Sequence, residues 1–144
     1  MAKIEQKNTL LMTFAIEQRN FKEAGEASSK LKNRLIQLGF PGTLIRRVAI
    51  ATYEAEMNLV IHSKGGTIEA EIKPGVVKIL VVDVGPGIID LNKAMKTGFS
   101  TAPEHVREMG FGAGMGLPNM RSCASEFAIT SELGTGTTIK MVIS

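Results

Sequence analysis

The chain has no tryptophan, one tyrosine and one cysteine. It also has no hydrophobic run approaching the ~18 residues that a membrane-crossing helix needs, so no membrane span is expected. The lone cysteine, Cys123, excludes an internal disulfide and fits a reducing compartment, the cytoplasm. Lys and Arg are scattered, with no dense tract and no interleaved aromatics, so a net charge of +3 over 144 residues gives no footprint for direct nucleic-acid binding. The same mild bias suits an acidic protein face or phosphate groups. The opening MAKIEQKNTL is polar and mixed in charge, which argues against a secretory signal. Linkers, repeats and low-complexity tracts are missing too, and residues 1–144 read as one domain large enough to bury a real core.

What is present has a clear order. Thr9–Glu17 is apolar and rich in strand formers and is expected to be the first strand. From Asn20, read as a cap, Phe21, Ala24, Ala27 or Ser28, Leu31 and Leu35 recur with helical period, and Gly39 stands where a C-terminal glycine belongs. Pro41 opens a second helix, Pro41–Ser63, with Leu44, Val48, Ala51, Ala55 and Leu59 on one face. TIEAEI alternates with period two and is joined by KPG to VVKILVVDVG, an antiparallel hairpin. The second of these strands is nearly continuous in Val, Ile and Leu, so it is expected to be central and covered on both faces. A short helix is expected over Asp90–Lys96. A long glycine-rich stretch follows, then a helix with Pro118 in its first turn and a terminal hairpin around LGTG. The order predicts an α+β two-layer sandwich, one mixed sheet with its helices on one face. A Rossmann fold is excluded, because strands and helices do not alternate and no G-x-G-x-x-G joins a strand to a helix.

Four motifs carry chemistry. In EAEMN, Glu54 and Asn58 are four apart and share one helix face, where a carboxylate and an amide can hold a divalent ion or a water; Glu56 points away from them. Alone, such a pair is commonly just edge polarity. In DVGPGI, a strand ends on Asp83, costly to bury ionised unless hydrogen bonds satisfy it. Such an aspartate can accept from a nucleobase amino group while Gly85 and Gly87 let a base approach the backbone; a tight turn explains the same residues. Gly112, Gly114 and Gly116 run into a helix N-terminus and offer bare N–H groups to phosphate oxygens. GTGTT (Gly134–Thr138) places hydroxyls in the last hairpin.

In this order and spacing, E-x-x-x-N, D-x-G-x-G-I, G-x-G-x-G-L and the final G-T resemble the GHKL superfamily of gyrases, chaperones and histidine kinases, across essentially the whole chain. Within it, GFSTAPEHVREMGFGAGMGLPNM is similar to the nucleotide lid of the bacterial anti-sigma and switch-protein serine kinases. The resemblance implies the Bergerat ATP-binding fold, ATP and Mg²⁺ as cofactors, and a lid at about Gly98–Gly116, mobile without nucleotide. It implies Glu54 as general base and Asn58 as the Mg²⁺ ligand. Asp83 becomes the adenine reader, with Gly85, Gly87 and Ile88 shaping its pocket and Thr137 supporting the base by its hydroxyl or a water. Gly112, Gly114 and Gly116 hold the triphosphate, Met115 and Leu117 belong to the same nucleotide site, and Ser100 and Thr101 stand at the start of the lid. Lys96 and His105 read as solvated lid charges, and Arg107 is open between that role and the γ-phosphate. His62 reads as a packed group behind Asn58, and Cys123 as a small core residue. The implied activity is transfer to a serine or threonine of an anti-sigma-factor antagonist of the STAS type. Sequestration of a sigma factor is the alternative, and a homodimer is left open.

Overall fold

A computed structural model describes residues 9–18, 20–85 and 116–144, and every statement below concerns these. Strand β1 spans Leu10–Ile16, and helices α1 (Glu26–Gln37) and α2 (Gly42–His62) follow. Strands β2 (Gly66–Lys73) and β3 (Val76–Asp83) come next, then helix α3 (Gly116–Cys123), then β4 (Glu126–Glu132) and β5 (Gly136–Ile143). The expected helix at Asp90–Lys96 and nearly all of the lid lie outside the described residues.

The strands form one sheet in the order β1-β2-β3-β5-β4. Its inner face carries Met12 and Phe14 of β1, Ile68 and Ala70 of β2, Ile79 and Val81 of β3, and Ile139 and Met141 of β5. These pack with Leu31 and Leu35 of α1, with Leu44, Val48, Ala51, Ala55 and Leu59 of α2, and with Leu117 and Met120 of α3. The stripe expected on α2 is thus the centre of the core, and burying such side chains is the main stabilising term at roughly 1.5–3 kcal/mol each. Cys123 packs against this core, and burial raises its thiol pKa.

Two details differ from the expectation. All four pairings are antiparallel, where a mixed sheet was expected. An even number of helices, α1 and α2, returns the chain to β2 antiparallel to β1. The crossover through α3 does make β4 run the same way as β3, but β5 inserts between them and no parallel ladder forms. Strand β3 is central as expected, yet the described helices cover only one of its faces. Lys78 and Val82 are exposed on the other, and an apolar run interrupted by lysine suits a sheet with one open side.

The start of α1 also differs. Asn20 is not its cap: Asn20 accepts from the Glu23 N–H at 3.3 Å in a turn that precedes the helix. The helix starts after Gly25, whose φ of 95° no ordinary residue favours. Its free N–H groups are taken by a side chain from the neighbouring helix. Glu56 accepts from Gly25 and Ala27 at 3.1 Å each and from Ser28 at 2.7 Å. That explains why Glu56 is 1% exposed and faces away from Glu54. Burial raises its pKa, and the three N–H groups pull it back down.

Candidate active site

Three contacts fix α3 against α2. The Arg47 guanidinium donates to the Cys123 carbonyl at 2.9 Å, and Asn119 Nδ2 donates to Glu54 Oε1 at 3.2 Å. At the third point, a methyl group placed on Gly116 would stand 3.1 Å from Asn58 Oδ1 and 3.4 Å from Glu54 Oε2. As numbers rise along α2 they fall along α3, so the helices pack antiparallel. The N-terminus of α3 therefore lies on the Glu54–Asn58 face. Glycine at 116 brings the start of α3 close to both polar groups; a side chain there would press on the Asn58 amide and touch Glu54 at ordinary contact distance. Glu54 and Asn58 are half-buried and, one helical turn apart, separated by about 6 Å along the axis. The end of α3 that donates free N–H groups is the end that faces them.

The second half of the site is the end of β3. The β3–β5 register sets Val82 opposite Thr138, which brings Asp83 beside Thr137. The Thr137 N–H donates to Asp83 Oδ1 at 2.5 Å. Burial raises the Asp83 pKa and this hydrogen bond lowers it again. No donor among the described residues reaches the other oxygen, Oδ2, so the acceptor capacity needed to read an amino group is present. The Thr137 side chain pairs with Ser131 Oγ at 2.9 Å, so its backbone N–H, rather than its hydroxyl, holds Asp83.

Two glycines outside the expected set let the backbones close around Asp83. Gly136 has φ 141°, and a methyl group there would overlap the Asp83 carbonyl and lie 2.7 Å from Oδ1. Gly66 pairs with Asp83 across β2 and β3, and a methyl group there would overlap the Val82 carbonyl. The tract leaving α2 joins the two halves. Lys64 N–H donates to the Val84 carbonyl at 2.7 Å and Val84 N–H to the Gly65 carbonyl at 3.0 Å. Ser63 Oγ braces this turn through Leu59 and Gly65. Gly85, buried beside Ser63, donates to the Thr135 carbonyl at 3.4 Å.

Of the expected residues, the structure therefore joins Glu54, Asn58 and Gly116 in one cluster and Asp83, Gly85 and Thr137 in another. Leu117 is turned into the hydrophobic core. Gly87, Ile88, Ser100, Thr101, Gly112, Gly114 and Met115 lie outside the described residues, as do Lys96, His105, Arg107 and the side chain of His62. Asn119 and Gly136 were missed. The signal for Gly136 was its place between two threonines of the final hairpin, whereas Asn119 had none, since its partner is 65 residues away.

The donor set fits a nucleotide with magnesium. Among the described residues no group of three or more His, Cys, Asp or Glu could hold a metal ion. Asn58 would contribute one hard oxygen to a magnesium ion, a cation that commonly keeps phosphate and water among its ligands. At the other end, Asp83 is a half-buried carboxylate whose Oδ2 no donor among the described residues takes, an acceptor of the kind a base amino group needs.

Comparison with known proteins gives the family. Residues 44–144 match the family described as histidine kinase-, DNA gyrase B- and HSP90-like ATPases, and the chain belongs to that family. Membership implies ATP binding. The serine/threonine-protein kinase RsbT of Bacillus subtilis (strain 168) is 34% identical over 116 residues, 77% of this chain and 80% of its own length. An anti-sigma F factor of Thermoanaerobacter sp. (strain X514) is 37% identical over 102 residues, 67% of this chain and 68% of its own length. The crystal structure of the RsbU and RsbW domains of a Mycobacterium tuberculosis protein has the same fold, with a TM-score of 0.62 and 20% identity. It matches 93% of this chain, which spans 31% of that longer one. Among the described residues no helix is long and apolar enough to cross a membrane.

Proposed function

We propose that this chain is a single-domain, Mg-ATP-dependent serine/threonine protein kinase of the cytoplasm, acting on a small anti-sigma-factor antagonist of the STAS type. The observation that carries the reading is the meeting of Glu54, Asn58 and Gly116 where α3 begins. A base, a metal ligand and the N–H groups of a helix start then serve one phosphoryl group. Bound Mg-ATP supplies the transferable γ-phosphoryl group and the cation that spreads its charge. The remaining work falls to the chain: Asp83 accepts from the adenine amino group while Gly85 and Gly87 admit the ring. Asn58 ligates the metal, and Gly112, Gly114 and Gly116 present N–H groups to phosphate. Ile88, Ser100, Thr101 and Met115 complete the nucleotide contacts, Leu117 by its backbone N–H, since its side chain lies in the core, and Thr137 by holding Asp83. Glu54 Oε2 takes the proton of a serine hydroxyl that the partner delivers in line, which turns recognition into positioning.

The test is to incubate the chain with Mg-ATP and the antagonist-type protein of the same genome, then weigh the products. One added phosphate on the partner supports the kinase. A second reading, nucleotide-dependent capture of a sigma factor, is favoured by the 37% identity to proteins named anti-sigma F factor. ATP-dependent capture of a sigma subunit with no phosphate on the antagonist would replace the first reading by the second.

A further inference from the structure

We propose that Asn119 is the positioning residue for the Glu54 carboxylate, selecting which of its two oxygens acts as base; the inference rests on the reading of Glu54 as that base. A glutamate carries three rotatable bonds, and an untethered one presents either oxygen in many directions. Here Asn119 Nδ2 donates to Oε1 at 3.2 Å, and among the described residues no other donor reaches Glu54. The tethered oxygen spends a lone pair on the amide. Oε2 instead stands beside Gly116, which has no side chain to cover it; a methyl group there would lie 3.4 Å away.

The tether is rigid. Leu117, Pro118 and Met120, which flank Asn119, are all buried, and Arg47 holds the far end of α3 by its hydrogen bond to Cys123. An amide half-buried among such neighbours is costly unless it is hydrogen-bonded, and Glu54 is the partner it has. A donor on a packed helix fixes a reacting group better than one on a loop. Because α3 begins at Gly116, directly after the glycine-rich tract, docking of that helix and orientation of the carboxylate are one event.

The experiment compares Asn119→Ala and Asn119→Asp in the full chain. Its readout is the single-turnover rate of γ-phosphate loss from labelled ATP, counting phosphate on protein and in water together. ATP affinity is measured alongside. Asn119→Asp keeps the size of the side chain but has no N–H to give. Both variants should lose about 10–100-fold in rate, the usual scale for an orienting partner. ATP affinity should be unchanged, and in a Glu54→Gln background the same substitutions should have no further effect. A merely structural residue would lower affinity and act in full in either background, and that pattern overturns the proposal. So does an unchanged rate, or no turnover in the parent chain. If phosphate reaches only water, the kinase reading fails while the Asn119 assignment is still decided by the same rates.

Discussion

Gly136 lies against Asp83 so closely that a methyl group in place of its hydrogen would overlap the Asp83 carbonyl. The contact joins the last hairpin to the end of β3. It lets the neighbouring Thr137 N–H hold the aspartate, and it needs a backbone with φ 141°. Gly136→Ala is therefore expected to cost about 1–3 kcal/mol in urea unfolding, from a side chain forced into a sparse backbone region. ATP affinity should fall with it, because the carboxylate is displaced. Calorimetry and an unfolding curve on the same variant check both. Normal affinity would mean that the hairpin does not build the adenine pocket.

Asp83 sets stability against binding. Burial raises its pKa above the ordinary 3.8, so the folded chain holds that proton more tightly than the unfolded chain. Folding stability from this group is thus full below 3.8 and declines as pH climbs through the raised folded value. Asp83→Asn keeps an oxygen for the Thr137 N–H and removes the charge. The apoprotein should then melt at an equal or higher temperature than the parent at neutral pH, without this group's pH slope. Binding should move the other way, since the carbonyl that remains is a poorer acceptor than a carboxylate. Thermal melts from pH 3 to 8, with and without Mg-ATP, separate the two effects.

Glu56 is the residue whose loss should unfold the chain without touching chemistry. It accepts three N–H groups from Gly25, Ala27 and Ser28. Glu56→Gln leaves an NH₂ group facing at least one of those donors, at about 1–3 kcal/mol. Urea denaturation should show that loss, while ATP affinity of the folded fraction stays at the parent value.

Much of this architecture was legible because its signals are local. The stripe from Leu44 to Leu59, the alternation of Thr67–Ile72 and the glycine turns each fix an element within a few residues. What sequence could not give were contacts made across the fold. Asn20 had the chemistry of a cap, but the N–H groups of α1 are taken by Glu56, 28 to 31 residues on. Strand β3 looked covered on both faces because Val, Ile and Leu dominate it, and only the placement of the three described helices on one side leaves Lys78 and Val82 exposed. The same limit applies in the site. Glu54, Asn58 and Asp83 stood out by type and spacing, whereas Asn119 and Gly136 matter through partners far along the chain.

The central claim, that the face shared by α2 and α3 carries out phosphoryl transfer, is tested most directly by Glu54→Gln in a single-turnover assay with labelled ATP and the antagonist protein. Glutamine keeps the shape and a hydrogen bond to Asn119 but cannot take a proton. ATP affinity should be retained, while transfer to the partner falls by about 10²–10⁴-fold. Transfer at the parent rate by Glu54→Gln would contradict the account.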